Sequence, residues 1–464
     1  MPSPYLDTPD HDNLRTLSKG VLVIFMIVAT SLIFWGVIRA ETILTRNDNP
    51  RLLEQEFRIQ RGTILDRNNK VLAINDGTPE RQQRTYPLYN MGPAVGFYSV
   101  IHGTAGAENG FDDILRNDPS DWWQAIWQES LHLPQEGRDV KLALDAEIQL
   151  KAEAALDQHH GAVLLLELDK TDSNRVWIRA LSSYPGYDPN LLDEQFDILG
   201  INEDAPLLNR VTQGQYQPGL LLQPFILAAA VEHGLISMGD SVTEPDRYVQ
   251  VNGEQLHCKS SPPDPASWSD VLRHNCPGPM LDLADQLGTS GLDTIFSSFG
   301  LDHDPLLEID ATTTPDEPLD NPLLAGIGQD NLSITPLQIG LAMSALVNSG
   351  KLPQPQIGLA IQDRDNNWQP WTLEPEVVTA TTAEAAASVL QALPRKDAFH
   401  ELSPLVLSGP NESFNAWYTG ILELANADYI AVIILEGNKH EDRAQSVGRR
   451  ILSAVREIEQ RDDD

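Results

Sequence analysis

Val21 to Ile38 reads VLVIFMIVATSLIFWGVI, eighteen residues with no charge and only Thr30 and Ser31 polar. At 1.5 Å per helical residue the run spans about 27 Å, enough for a bilayer core with its flanks. Lys19 and Arg39 bracket it, and no other stretch of the chain approaches its length and apolarity. A cleaved leader is the competing reading. The run is long for a leader's apolar region and no clean small-x-small site follows, so it reads as an uncleaved anchor over 21–38, behind a tail over 1–20. Arg39, Arg46, Arg51 and Arg58 follow the run while Arg15 and Lys19 precede it. Charge alone therefore leans weakly towards keeping the bulk of the chain inside, but a large domain translocates largely regardless of such charges.

The 464 residues hold enough apolar content, 41%, for two or three domains with a sizeable core. The formal net charge is −35, so the surface repels nucleic acid and anionic headgroups. That acidity reads first as a solubility or salt-adaptation signature and second as a face for a basic partner. Two cysteines, Cys258 and Cys276, make no disulfide framework. Outside the cytoplasm they can pair, but sequence does not give their separation in space. No second cluster of histidine or cysteine completes a metal-ligand set, and no cofactor is expected.

Residues 39–56 read as a polar stalk. Arg61-Gly62-Thr63-Ile64-Leu65-Asp66-Arg67-Asn68-Asn69-Lys70-Val71-Leu72-Ala73 then reads as strand, tight turn, strand, with Asn69 tolerating a left-handed conformation. Gly103 to Leu115 adds a glycine-rich turn and a helix start. Asp145 caps a helix through about Leu156, Gly161–Leu168 and Arg175–Leu181 are paired strands, and Ser183 to Asn190 is a turn-rich run. Residues 237–275 are loop-rich. Gly326-Ile327-Gly328-Gln329-Asp330-Asn331-Leu332-Ser333-Ile334-Thr335-Pro336-Leu337-Gln338 leads into a helix, Ala416–Gly420 and Tyr429–Leu435 read as adjacent strands, and Arg443–Ile458 as a last helix.

These segments resemble the class B penicillin-binding proteins. The 61–73 run is similar to the family's Arg-Gly-x-Ile-x-Asp-Arg-x-Gly-x-x-Leu-Ala signature, and 326–338 to its Gly-x-Gly-Gln-x-x-Leu-x-x-Thr-Pro-Leu-Gln. The resemblance covers about residues 57 to 455. It implies an α+β chain: an N-terminal transmembrane helix, a small membrane-proximal module over 57–135, and a transpeptidase domain of serine β-lactamase type over 136–460. That domain would hold an antiparallel sheet flanked by helices and an all-helical lobe. It also implies a short tail inside the cell membrane and the bulk of the chain outside it.

Acyl transfer through serine needs a nucleophile, a base beside it and a site for the oxyanion. The family supplies them from three motifs, Ser-x-x-Lys, Ser-x-Asn and Lys-Thr-Gly. None of the nine lysines here follows a serine by three residues, and none precedes Ser-Gly or Thr-Gly. Where the family has Pro-Gly-Ser-Thr-Phe-Lys-Pro-Phe, this chain reads Pro218-Gly219-Leu220-Leu221-Leu222-Gln223-Pro224-Phe225. Leu220 thus stands at the nucleophile position and Gln223 at the base position. Counting back from Gly288 puts Asn275 at the second motif's serine and Pro277 at its asparagine, with Cys276 between. Leu405–Gly409 fits the third motif best, with Leu407 for lysine and Ser408 and Gly409 keeping hydroxyl and glycine. Ser413-Phe414-Asn415 follows the third motif and reads as a chance match.

Three readings follow. The first is a membrane-anchored, catalytically inactive homologue acting as scaffold or regulator of peptidoglycan synthesis, with a glycan polymerase or an active transpeptidase as partner. The second is a transpeptidase or carboxypeptidase whose nucleophile has moved to Ser408 or Cys276. The third is a non-covalent receptor for peptidoglycan peptides. Whether Leu220 to Leu222 fill the old cleft or line a new pocket is left open by the sequence.

Overall fold

The structure is a computed structural model that describes residues 11–35, 59–78, 81–117, 136–312, 318–363, 365–373, 378–408 and 413–463. It divides into two units, Met1–Ile59 and Gln60–Asp464.

In the first unit the described structure is helix α1, His11–Ile33. Apolar side chains along it, Val21, Leu22, Phe25, Met26 and Ile27 among them, are exposed. Among the described residues no helix is long and apolar enough to cross a membrane. Residues 36–38 of the apolar run, and the stalk over 39–56, lie outside the described residues.

The second unit is built on an eight-stranded sheet. Its strands are β1 (Gly161–Asp169), β2 (Arg175–Tyr184), β3 (Gln354–Gln356), β4 (Arg395–Lys396), β5 (Phe399–Leu402), β6 (Leu405–Ser408), β7 (Ser413–Glu423) and β8 (Ala427–Leu435). The order is β3-β2-β1-β8-β7-β5-β4, with β6 pairing β7 beyond the end of β5. Every pair is antiparallel except β3 with β2, which is parallel.

Both faces of the central strands are buried, and period-two alternation divides their side chains between two cores. Leu164 and Leu166 of β1 and Ile430 and Val432 of β8 face the larger core. Val163 and Leu165, with Tyr429, Ala431 and Ile433, face the smaller one. The helices that cover these faces are α2 (Ala146–Leu156), α3 (Gln223–Glu232), α4 (Gly278–Ser298), α5 (Pro336–Val347) and α6 (Glu441–Asp463). Ile148 and Ala152 of α2 and Val447, Ile451 and Val455 of α6 close the smaller core. Helix α5 closes the larger one so tightly that a Cβ on Gly340 would come within 2.9 Å of both Leu164 and Leu166. The Asp145 cap read from sequence is formed, and the structure adds a second cap at Thr335. The Asp145 carboxylate accepts from the Glu147 and Ile148 amides at 2.9 and 3.1 Å, and Thr335 with Gln338 forms a capping box on α5.

A second, six-stranded sheet takes Ile64–Leu65, Val71–Thr78 and Arg81–Thr85 from one end of the unit and Val140–Leu142, Gly358–Gln362 and Trp368–Pro370 from elsewhere. The turn at Asn68-Asn69 is as read from sequence. Asn69 has φ +66°, and Asp66 Oδ1 accepts from the Asn68 and Lys70 amides at 2.8 and 2.7 Å.

Arg61, which opens that segment, is held by Glu108. The Glu108 carboxylate is fully buried and accepts from Arg61 at 3.0 Å, from Arg84 at 2.6 Å and from the Tyr86 hydroxyl at 3.2 Å. Burial opposes its charge, but Arg84 and Arg61 outweigh burial and hold its pKa below the usual carboxylate value. A carboxyl depressed in the folded state adds stability that is present above its unfolded pKa and is lost as pH falls through the folded one. Glu108→Ala leaves two buried guanidiniums without their shared partner, so it is expected to cost about 3–5 kcal/mol in denaturant unfolding at neutral pH. The gap between the variant and the parent should shrink in acid, below the ordinary glutamate range.

Candidate functional site

The polypeptide enters the first motif segment through a pinned extended stretch. Tyr216 exchanges two backbone hydrogen bonds with Ile334, at 3.0 and 2.8 Å, and Gly219 N donates to Gly328 O at 3.0 Å. Gly219 has φ +56°, where glycine is favoured. A Cβ there would lie 2.4 Å from Cγ2 of Val406 in β6. A Cβ on Gly328, itself at φ +64°, would lie 2.4 Å from both the N and the O of Gly219. Glycine is thus required at both positions. The first motif is thereby clamped between the 326–338 segment and the strand that carries the third.

After Gly219 the chain makes one tight turn, Gly219–Leu222, and enters α3 at Gln223 with Pro224 in its first turn. Leu220, Leu221 and Leu222 are all buried and belong to the larger core. They fill space rather than line a pocket.

Gln223 is fully buried, and its Nε2 donates to the carbonyl of Cys276 at 2.8 Å. This bond brings the second motif segment to the first. Asn275 is buried with φ +52° at the end of the helix Trp268–Arg273, and Pro277 caps α4. The Gln223 Oε1 and Asn275 Oδ1 atoms are buried and have no hydrogen-bond partner among the described residues. In the third segment Leu407 is buried opposite Phe414, and Ser408 lies opposite Ser413, whose hydroxyl donates to the Ser408 carbonyl at 2.7 Å. Gly409 lies outside the described residues.

The three segments located by sequence therefore meet in the fold. Leucine has no attacking atom, glutamine carries no titratable proton, and proline offers neither side-chain amide nor backbone N–H. Cys276 is no free thiol, because it forms a disulfide with Cys258 and is buried. That corrects its reading as a relocated nucleophile and settles how the two cysteines stand to each other. Among the described residues no group of three or more His, Cys, Asp or Glu is placed to hold a metal.

One contact was invisible in the sequence. Lys259, next to Cys258, donates to the Ser403 hydroxyl at 2.5 Å and pairs with Glu441 at 3.6 Å. Serine and lysine here stand 144 positions apart, so no motif reveals them. The contact fixes the turn between β5 and β6.

The model of the penicillin binding protein transpeptidase domain matches residues 171–456. The chain belongs to the class B penicillin-binding proteins. It is similar to the peptidoglycan D,D-transpeptidase MrdA of Escherichia coli K12, 24% identical over 64% of this chain and 48% of that protein. It thus spans about half the length of that relative. It is also similar to the peptidoglycan D,D-transpeptidase PbpA of Mycobacterium tuberculosis, 26% identical over 74% of each chain. Among solved structures, penicillin-binding protein A of M. tuberculosis, as its imipenem acyl-enzyme complex, superposes with a TM-score of 0.74 at 22% identity, covering 87% of this chain and 99% of that one. The D,D-transpeptidase domain of a peptidoglycan glycosyltransferase from Eggerthella lenta gives 0.72 at 17% identity, over 87% and 99%.

The clamp around the first motif makes a specific expectation. Gly219→Ala combines a left-handed backbone with a clash and should cost about 2–4 kcal/mol in denaturant unfolding. Adding Val406→Ala should recover the part due to the clash. Gly328→Ala meets backbone rather than side chain, so Val406→Ala should give it no relief.

Proposed function

We propose that this class B penicillin-binding protein serves peptidoglycan synthesis as a membrane-anchored, catalytically inactive transpeptidase homologue, a scaffold or regulator rather than an acyl-transfer enzyme. The observation that carries the reading is the meeting of three motif segments in which Leu220, Gln223, Pro277 and Leu407 stand where the chemistry is needed. Loss of one group is compatible with a variant mechanism. Loss of nucleophile, base and both supporting side chains, within a framework that still brings the segments together, favours a retained fold put to another use.

The anchor is the apolar run 21–38, with the bulk of the chain outside the cell membrane. The exposed apolar side chains of α1 from Val21 on support this, because such a run needs a lipid or protein environment. The partner is a glycan-polymerising membrane protein or an active transpeptidase, bound through the anchor and the 57–135 module. The kinship with peptidoglycan D,D-transpeptidases supports the cell-wall setting.

The test is labelling of the full chain with a fluorescent penicillin beside an active penicillin-binding protein, read on a denaturing gel. No covalent band is expected. A band would sink the proposal, and its loss in Ser408→Ala or Ser403→Ala would name the nucleophile.

A further inference from the structure

Away from the motif segments, a groove of about 480 Å³ opens between α2, the Ser183–Asp188 segment after β2 and the turn at Tyr89. That volume lies within the range of small-molecule sites, about 300–1,000 Å³. Its walls combine aromatic faces with a few fixed polar groups. Tyr89 is 63% exposed. Tyr184 is partly exposed, with His160 edge-on to it at 6.0 Å. Leu150 and Leu156 of α2 add an apolar floor.

The polar groups are Glu153, Asn90 and Asp188. Glu153 is held on both oxygens by amides: Gln149 Nε2 donates to one at 3.3 Å and Asn90 Nδ2 to the other. Burial pushes the Glu153 carboxyl up to about 7, against the pull of those two amides. Near neutrality a large part of it is therefore the neutral acid. With both oxygens already accepting, the acid proton is left for a group in the groove. Among the described residues no lysine or arginine lines the groove, so nothing there recognises an anion. A cation would meet the carboxyls of Glu153 and Asp188, and is the competing occupant that the test below excludes.

Neutral ligands with a flat apolar face and a hydroxylated rim match this wall. Tyrosine offers such a face with a polar tip. An acetamido group supplies a carbonyl for the Glu153 proton and an N–H for Asp188. We propose that the groove is a saccharide site for N-acetylhexosamine rings, which stack on Tyr89 and Tyr184 and hydrogen-bond to Glu153 and Asp188. This rests on the groove alone and holds whether or not the chain acylates.

The probe is tri-N-acetylchitotriose, titrated into the full chain by calorimetry and by saturation-transfer NMR on the sugar. Binding with a Kd on the order of 1 mM or tighter is expected, with Tyr89→Ala and Glu153→Ala each weakening it about tenfold or more. Tyr89 is exposed, so its variant should unfold at the same temperature as the parent. Glu153→Leu, which keeps much of the bulk of the side chain and can donate no hydrogen bond, serves as the second variant if Glu153→Ala is less stable. Maltotriose, which lacks the acetamido group, should bind more weakly. No transfer to chitotriose, or transfer unchanged in both Tyr89→Ala and the Glu153 variant, overturns the proposal. So does maltotriose binding equally well, or tetramethylammonium binding in place of the sugar.

Discussion

The close approach of two glycines fixes the main chain where the three motif segments meet. Gly219 and Gly328 pack backbone to backbone, and Val406 fills the space where a side chain on Gly219 would stand. Three stretches of chain far apart in sequence are thereby held at one point. This constraint is steric and concerns main chain. It is indifferent to whether the next residue is a serine or Leu220.

With the constraint in place, the substitutions around it suit a closed interior. Leu220 to Leu222 join the larger core, and each fully buried leucine contributes about 1.5–3 kcal/mol over an exposed one. A lysine at position 223 would bring an ammonium into that interior, where an unpaired charge is strongly disfavoured. Gln223 is neutral and spends its amide on the Cys276 carbonyl. It keeps the tie between two segments and drops the charge. The Cys258–Cys276 disulfide fastens the second segment from the other side. Both connections tie the second segment into the fold at positions where the sequence departs from the family motifs.

The architecture was legible in the sequence wherever a local rule sufficed. Asp145 and the Asn68-Asn69 turn announce themselves through capping and turn chemistry, and the apolar run Val163-Leu164-Leu165-Leu166 in β1 announces a buried strand. The three motif positions were found by register against a family pattern, and the fold places them together. Contacts between distant segments were not legible. Nothing in the sequence joins Lys259 to Ser403, Arg84 to Glu108, or Asn90 to Glu153. Pairing of Cys258 with Cys276 stayed open because spacing along a loop-rich stretch does not give spacing in space. The groove beside α2 was missed for a similar reason. Its residues come from the Tyr89 turn, α2 and the Ser183–Asp188 segment, none of which carries a motif.

The small sheet bears on how the parts of the second unit depend on one another. Ile64 pairs in parallel with Val140, and Val140 pairs in turn with Ile361, so strands near residues 64, 140 and 361 share one hydrogen-bond ladder. Removing residues 57–135 would strip Val140–Leu142 of one neighbour and expose an unpaired strand edge. Residues 60–117 hold their own buried cluster around Glu108, which joins Arg61, Arg84 and Tyr86. That cluster fixes Arg61 at the start of the run that pairs with Val140. A change of shape in residues 60–117 therefore has a direct mechanical route into the 358–362 strand. Two residues earlier, Gln354–Gln356 is the edge strand β3 of the large sheet. The route consists of backbone hydrogen bonds, and it does not depend on any catalytic group.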